Sequence, residues 1–121
     1  MKTYRELTAW QEAMELATAD HAVAARLPAH EQFGLSSQMR RAAVSVAANI
    51  AEGQGLGSAK SFIRHLWISH GSIRELETHV LLTERFGYAS TADIEPLLDK
   101  LARVGRLIRA LIRGVEGTGR S

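Results

Sequence analysis

Between Leu35 and Gly53 the chain leaves almost no side of a helix for water. Leu35, Met39, Ala43, Val46 and Ile50 recur at the three-or-four spacing of one apolar helical face. Val44, Ala47, Ala48 and Ala51 cover the opposite side with small apolar groups. A helix that is apolar nearly all round is normally buried on all sides, so Val44, Ala47, Ala48 and Ala51 are the expected oligomer interface. A polar seam of Gln38, Arg41, Ser45, Asn49 and Glu52 runs between the two faces, within about 100° of arc. Buried polar groups require partners, so the seam is expected to meet other helices or another subunit. Arg41 and Glu52 lie about 16 Å apart along the axis and cannot pair with each other. Glu75, Glu77 and Arg74 are their expected partners.

The same periodicity predicts three more helices. Thr8 with Gln11 forms a capping-box pattern that opens the first, through Trp10, Ala13, Met14, Ala17, His21 and Ala24. Proline disfavours helical geometry in the residue before it, so this helix should break near Leu27. The second ends at Gly53, the residue type suited to a left-handed cap. Ser58 caps the third, which buries Phe62, Leu66, Ser69, Ile73, Leu76 and Val80 and ends at about Phe86 and Gly87. Gly71 in its middle costs on the order of 1 kcal/mol relative to alanine, a cost that close approach of another backbone would justify. Ser90 with Asp93 starts the fourth, whose stripe is Ile94, Leu97, Leu101, Val104, Ile108, Leu111 and Val115. Pro96 is tolerated because it falls in or near the first turn. No strand pattern competes, and the connections are short. The expected fold is an all-α, up-down-up-down four-helix bundle, a single domain over residues 1–121 with a disordered tail from about Gly117.

Composition narrows the chemistry. At 121 residues, with 45% hydrophobic and 23% charged residues, the chain is of ordinary single-domain type. It has no cysteine, which excludes disulfides, thiolate zinc sites and cysteine nucleophiles. There is neither a secretory apolar run at the N-terminus nor a stretch approaching the roughly 18 apolar residues of a membrane span, so a cytoplasmic protein without a membrane partner is expected. The formal charge of +2 is small, but it is unevenly placed: residues 1–34 are net acidic and residues 89–121 net basic. The basic end is the fourth helix. There Lys100, Arg103, Arg106, Arg109 and Arg113 occur with no acidic residue between Lys100 and Arg113. Such a ridge can contact phosphates without reading bases, although cations near a helix C-terminus also simply complement the helix dipole.

Other candidates fail on spacing. Gly53, Gly55 and Gly57 precede a helix, but dinucleotide and phosphate-loop patterns require a preceding strand. The five histidines form no His-Glu-x-x-His or other ligand array, so no metal is expected. Ser45, Ser69 and Ser72 lack a nucleophile elbow or triad arrangement, and no catalytic residue or cofactor is assigned.

The run Pro28, Glu31, Phe33-Gly34-Leu35, Gln38, Arg40-Arg41-Ala42, Ser45 and Asn49-Ile50-Ala51-Glu52-Gly53, followed by Phe62, Leu66, Gly71-Ser72 and Glu75-Leu76-Glu77-Thr78, resembles the four-helix-bundle proteins encoded in intervening sequences of bacterial 23S rRNA genes. That family includes the accessory proteins of diversity-generating retroelements. The resemblance covers nearly the whole chain and implies a bundle that assembles into a barrel-like homopentamer. Retroelement members are nucleic-acid-binding partners of a reverse transcriptase, whereas intervening-sequence members have no settled activity. Gln54-Gly55-Leu56-Gly57 departs from the arginine or lysine often found after the Asn-Ile-Ala-Glu-Gly motif, so the resemblance does not carry nucleic-acid contact to this connector.

Two functions are therefore expected to compete. One is a non-catalytic homo-oligomeric module that contacts RNA or DNA electrostatically through the last helix. The other is a protein-binding scaffold, for example a partner of a reverse transcriptase, with no nucleic-acid contact of its own.

Overall fold

The structure, a computed structural model, describes residues 3–119. It contains α1 (Thr8–Ala24), α2 (Leu35–Gly55), α3 (Ala59–Arg85) and α4 (Thr91–Gly119), with 3-10 turns at Tyr4–Glu6 and Ala29–Glu31. Each of α1 and α3 packs on both α2 and α4, and no diagonal contact forms among the described residues. Along α2 and α3, Val46 meets Ser69 and Glu52 meets His65, so the two run in opposite senses. Glu12 with Arg103 and Arg26 with Asp93 show the same for α1 and α4, as do Ile73 with Gly105 and Glu84 with Thr91 for α3 and α4. The chain is an up-down-up-down four-helix bundle, as its periodicity predicts.

Local chemistry explains the helix ends, with some corrections. Ser58 accepts the Ser61 N–H at 3.1 Å and starts α3. Ser90 accepts the Asp93 N–H at 3.1 Å while Asp93 accepts the Ser90 N–H at 3.0 Å, a reciprocal cap that starts α4. The bond from the Ser90 N–H first, and then the Ser90 side chain, holds the Asp93 carboxyl below its ordinary range. Gly87 has a φ of 80° and donates to the Glu84 carbonyl, while Tyr88 donates to that of Thr83, which closes α3 in a Schellman turn. The expected box at Thr8 does not form. Leu7 is the N-cap, and the Gln11 side chain donates instead to the Arg5 carbonyl at 2.9 Å, tying α1 to the 3-10 turn before it. Gly53 is not a left-handed cap, because α2 continues through Gly55 and the positive φ falls at Gly57. Helix α4 likewise continues through Gly119, beyond the expected start of a tail at Gly117; Arg120 and Ser121 lie outside the described residues. Pro96 sits within α4 but on its exposed side, where it crowds no other helix.

The core follows the predicted stripes on α2 to α4. Leu35, Met39, Ala43, Val46 and Ile50 are all buried, as are Leu66, Ser69, Ile73, Leu76 and Val80, with Phe62 half-buried at the edge. On α4 the stripe holds from Ile94 to Ile108, after which Ile112 turns inward and Leu111 and Val115 are only half-buried. Helix α1 is rotated from expectation. Ala9, Ala13, Leu16, Asp20 and Ala24 point inward, whereas Met14 and His21 are exposed. The buried stripe includes an aspartate, which is why a purely apolar pattern selects the neighbouring one.

Helices α2 and α3 approach closely because small or polar residues line their contact. Buried Ser69 donates to the Val46 carbonyl at 2.8 Å, across the interface rather than within its own helix. A Cβ on Gly53 would lie 2.6 Å from the His65 Cβ, so this glycine serves close packing. Gly71, expected to do so, would place a Cβ with nothing within 4 Å. No helix among the described residues is long and apolar enough to cross a membrane.

Candidate functional site

Lys100, Arg103, Arg106, Arg109 and Arg113 are all exposed, but the bundle divides them. Arg103 turns toward α1 and is in a short ion pair with Glu12. Arg106 and Arg109 turn toward α3, where they line a hollow of about 210 Å³ together with His70, Arg74, Glu77 and Gly105. Arg113 and Lys100 stand outside it. The antiparallel register makes this site: His70 and Arg74 lie one turn apart on α3, opposite Arg109 and Arg106, one turn apart on α4. Glu77 is the acidic residue of the hollow and pairs with Arg74 at 3.6 Å. Neither Arg106 nor Arg109 is in an ion pair among the described residues. Partial burial holds the His70 imidazole below its ordinary pKa, and the Arg74 and Arg109 charges push in the same direction. An edge-to-face contact with Trp67, with ring centroids 5.8 Å apart, fixes its ring.

The polar seam is a continuous stripe, but it lies in the outer groove between α2 and α3. Gln38, Arg41, Glu52 and Glu75 are exposed or half-buried at its rim, and Ser45 and Asn49 are half-buried, so burial within the protomer is not their setting. Ser45 is hydrogen-bonded to Ser72 across the groove at 2.8 Å, and the Asn49 amide donates to the Ser45 carbonyl and hydroxyl at 2.9 and 3.0 Å. Glu52 meets His65 at 3.6 Å and Glu75 meets His79 at 3.9 Å. Arg74 and Glu77 pair with each other on the α4 side of α3 and do not serve the seam. Gln38, Arg41, Ala42 and Glu75 line an open hollow of about 450 Å³, and Arg41 is in no ion pair among the described residues.

The four residues expected at an oligomer interface also separate. Val44 is 60% exposed, Ala48 is exposed and Ala51 half-buried, whereas Ala47 is 6% exposed and belongs to the protomer's own core. Ala47 lies about 100° around the helix from Val46, on the inward side. An apolar wheel alone does not separate it from Val44.

Sequence reasoning missed two charged features. Asp20 is fully buried in the core, and neither carboxylate oxygen has a hydrogen-bond partner among the described residues. Burial pushes its pKa up to about 6, against the opposing attraction of Arg40, whose Nε is itself buried without a partner. At the end of the bundle, Glu31 accepts the Leu35 N–H at 3.1 Å and the Tyr88 hydroxyl at 2.8 Å, and His30 is hydrogen-bonded to the same hydroxyl at 3.0 Å. These bonds join the α1–α2 connector to the α3–α4 connector. The Leu35 bond, then that of Tyr88, holds the Glu31 carboxyl below its usual range, while Glu31 raises the Tyr88 pKa. A glutamate before Phe33-Gly34-Leu35 signals the cap on α2, but nothing in the sequence identifies the distant tyrosine. No group of three or more His, Cys, Asp or Glu positioned to hold a metal occurs among the described residues.

Comparison with known proteins places these observations. Residues 5–110 match the family model described as 23S rRNA-intervening sequence protein. Among solved structures, a protein of unknown function from the S23 ribosomal protein family of Bacteroides thetaiotaomicron superimposes with a TM-score of 0.81 at 24% identity. The match covers 87% of this chain and 98% of that one, and it shows a shared fold. No protein of curated function matches.

Proposed function

The chain belongs to the 23S rRNA-intervening sequence protein family, and on that premise we propose a non-catalytic, homo-oligomeric module that contacts nucleic-acid phosphates through its α3–α4 face. The gathering of Arg74, Arg106 and Arg109 around one hollow supports this reading above all. Arginine forks suit phosphate oxygens, and two of the three guanidiniums here are not engaged by a carboxylate. No Trp, Tyr or Phe lines the hollow among the described residues, so its cations read backbone charge rather than sequence. Repetition around an oligomer raises the effective concentration of each weak site.

The test is the salt dependence of binding to a single-stranded oligonucleotide. Replacing Arg106, Arg109 and Arg113 together with glutamine should weaken binding and reduce the slope of log K against log salt by about 2, at roughly 0.7 per phosphate contact. An unchanged slope, or no binding by the wild type at low salt, rejects the reading.

Self-association has its own support in the uncovered apolar patch around Val44 and Ala48 on α2. A glutamate at Ala48 adds charge to that patch without entering the protomer core, whereas the same change at Ala47 would bury the charge inside the bundle. Ala48→Glu should therefore shift the native mass to that of a single chain while the helical content stays the same. A wild type that is already monomeric, or an assembly that survives the substitution, overturns this interface. If Ala48→Glu dissociates the wild-type oligomer and no nucleic acid binds, the protein-binding scaffold is the better description.

A further inference from the structure

We propose that the hollow between α3 and α4 is a discrete seat for one phosphate group, held by Arg106 and Arg109 from α4 and by Arg74 from α3. This rests on the phosphate-contact reading above but is narrower: it predicts one defined pocket rather than a diffuse basic surface. Its volume of about 210 Å³ is ample for a tetrahedral oxyanion with some of its water. Its walls carry three guanidiniums and one imidazole against a single carboxylate, and that carboxylate, Glu77, is already committed to Arg74 at 3.6 Å. Arg106 and Arg109 thus bring two uncompensated forks to the rim of a concave site whose floor is set by Ile73, Leu101 and Gly105. Cations gathered around one concavity favour an entering anion more strongly than cations spread on a convex helix.

His70 gives the site a built-in reporter. Arg74 and Glu77 face it from its own helix, and Arg106 and Arg109 face it from α4. Partial burial and the neighbouring guanidiniums disfavour its protonated form. A phosphate seated among those guanidiniums cancels their repulsion and adds an acceptor, so the His70 midpoint must rise when the seat fills.

The experiment follows the His70 imidazole resonance of the full chain through a pH titration at constant ionic strength. The titration is run in chloride, in inorganic phosphate and with a short single-stranded RNA oligonucleotide, with oligonucleotide binding measured separately by anisotropy. The expected result is a rise of about 1 pH unit in the His70 midpoint with phosphate and with oligonucleotide, relative to chloride. Arg109→Gln should abolish the rise and weaken phosphate binding about tenfold, whereas Arg64→Gln, an exposed arginine of α3 outside the hollow, should leave both intact. A His70 midpoint indifferent to both phosphate and oligonucleotide overturns the seat. If the oligonucleotide still binds by anisotropy in that case, the broader face reading survives. A midpoint that rises with phosphate in the absence of any oligonucleotide binding supports the seat as a small-anion site and rejects nucleic-acid contact.

Discussion

Replacing Asp20 with asparagine should stabilise the protein at pH 7.5 by up to about 3 kcal/mol and leave it nearly unchanged at pH 4. Asp20 has no solvent exposure and no hydrogen-bond partner for either oxygen among the described residues, so its charged form is the costly one. The folded-state pKa is therefore raised from 3.8 to about 6, with desolvation as the first cause and Arg40 opposing it. In that interval the native state binds the proton and the unfolded state does not. The contribution of Asp20 is thus fully present below pH 3.8 and is lost as pH rises through about 6. A difference of about 2 pH units corresponds to about 3 kcal/mol. An asparagine side chain at this position has the same shape and no charge to desolvate, so the variant lacks this loss. His70, whose pKa is lowered, acts in the opposite direction, with stability lost as pH falls below its ordinary 6.5. Glu31 and Asp93, both lowered, lose stability only at more acidic pH. Subtracting the wild-type profile from that of the variant removes all three and isolates Asp20. Urea unfolding at both pH values provides the measurement. A variant less stable than wild type at pH 7.5 would mean that the attraction to Arg40 outweighs desolvation, and the account of this buried charge would be wrong.

Gly53→Ala should destabilise the bundle by about 1 to 3 kcal/mol, although alanine is the better helix former. Two effects oppose each other. Alanine within a helix gains up to about 1 kcal/mol over glycine in backbone terms. Against this, its Cβ would lie 2.6 Å from the His65 Cβ and 3.2 Å from the Phe62 Cδ1. The nearer contact involves two atoms fixed to their own backbones, so no rotamer change relieves it and α2 must move away from α3. That movement also strains the Ser69 hydrogen bond to Val46 and the Ser45–Ser72 bond. Gly71→Ala is the internal control, since nothing lies within 4 Å of its Cβ. It should raise the denaturation midpoint by the propensity gain alone, up to about 1 kcal/mol. The two glycine variants should therefore move the midpoint in opposite directions. A Gly53→Ala protein as stable as wild type would show that the α2–α3 contact has slack its geometry does not display.

How much of this was legible beforehand varies with the kind of residue. The fold was legible because large aliphatic residues such as Met39, Ile50, Leu66, Leu76 and Leu101 have only one good destination, and their spacing is that of a helix. Helix ends were legible where a short polar side chain completes its own cap, as at Ser58 and Ser90, because donor and acceptor are three residues apart. Small residues carried much less information. Ala47 and Val44 look alike on a helical wheel, yet one is core and the other surface, since alanine costs little in either place. Gly53 took the close-packing role expected of Gly71, while Gly71 has open space where its Cβ would stand, because a glycine within a helix does not by itself record whether space is short there.

The basic face illustrates the same division. Its arginines are plain in the sequence, but a helix spreads residues three and four apart over an arc wide enough to face different neighbours. By itself, then, the sequence determined four amphipathic helices, their order, their main caps and an excess of cations on the last of them. Only the tertiary structure decided that Arg103 goes to Glu12, that Arg106 and Arg109 meet Arg74 and His70, and that Asp20 is enclosed without a partner. The reason is physical: periodicity and capping act within a few residues of chain, whereas the charge a side chain meets across a bundle depends on helix rotation and register, which the packing of the whole core sets.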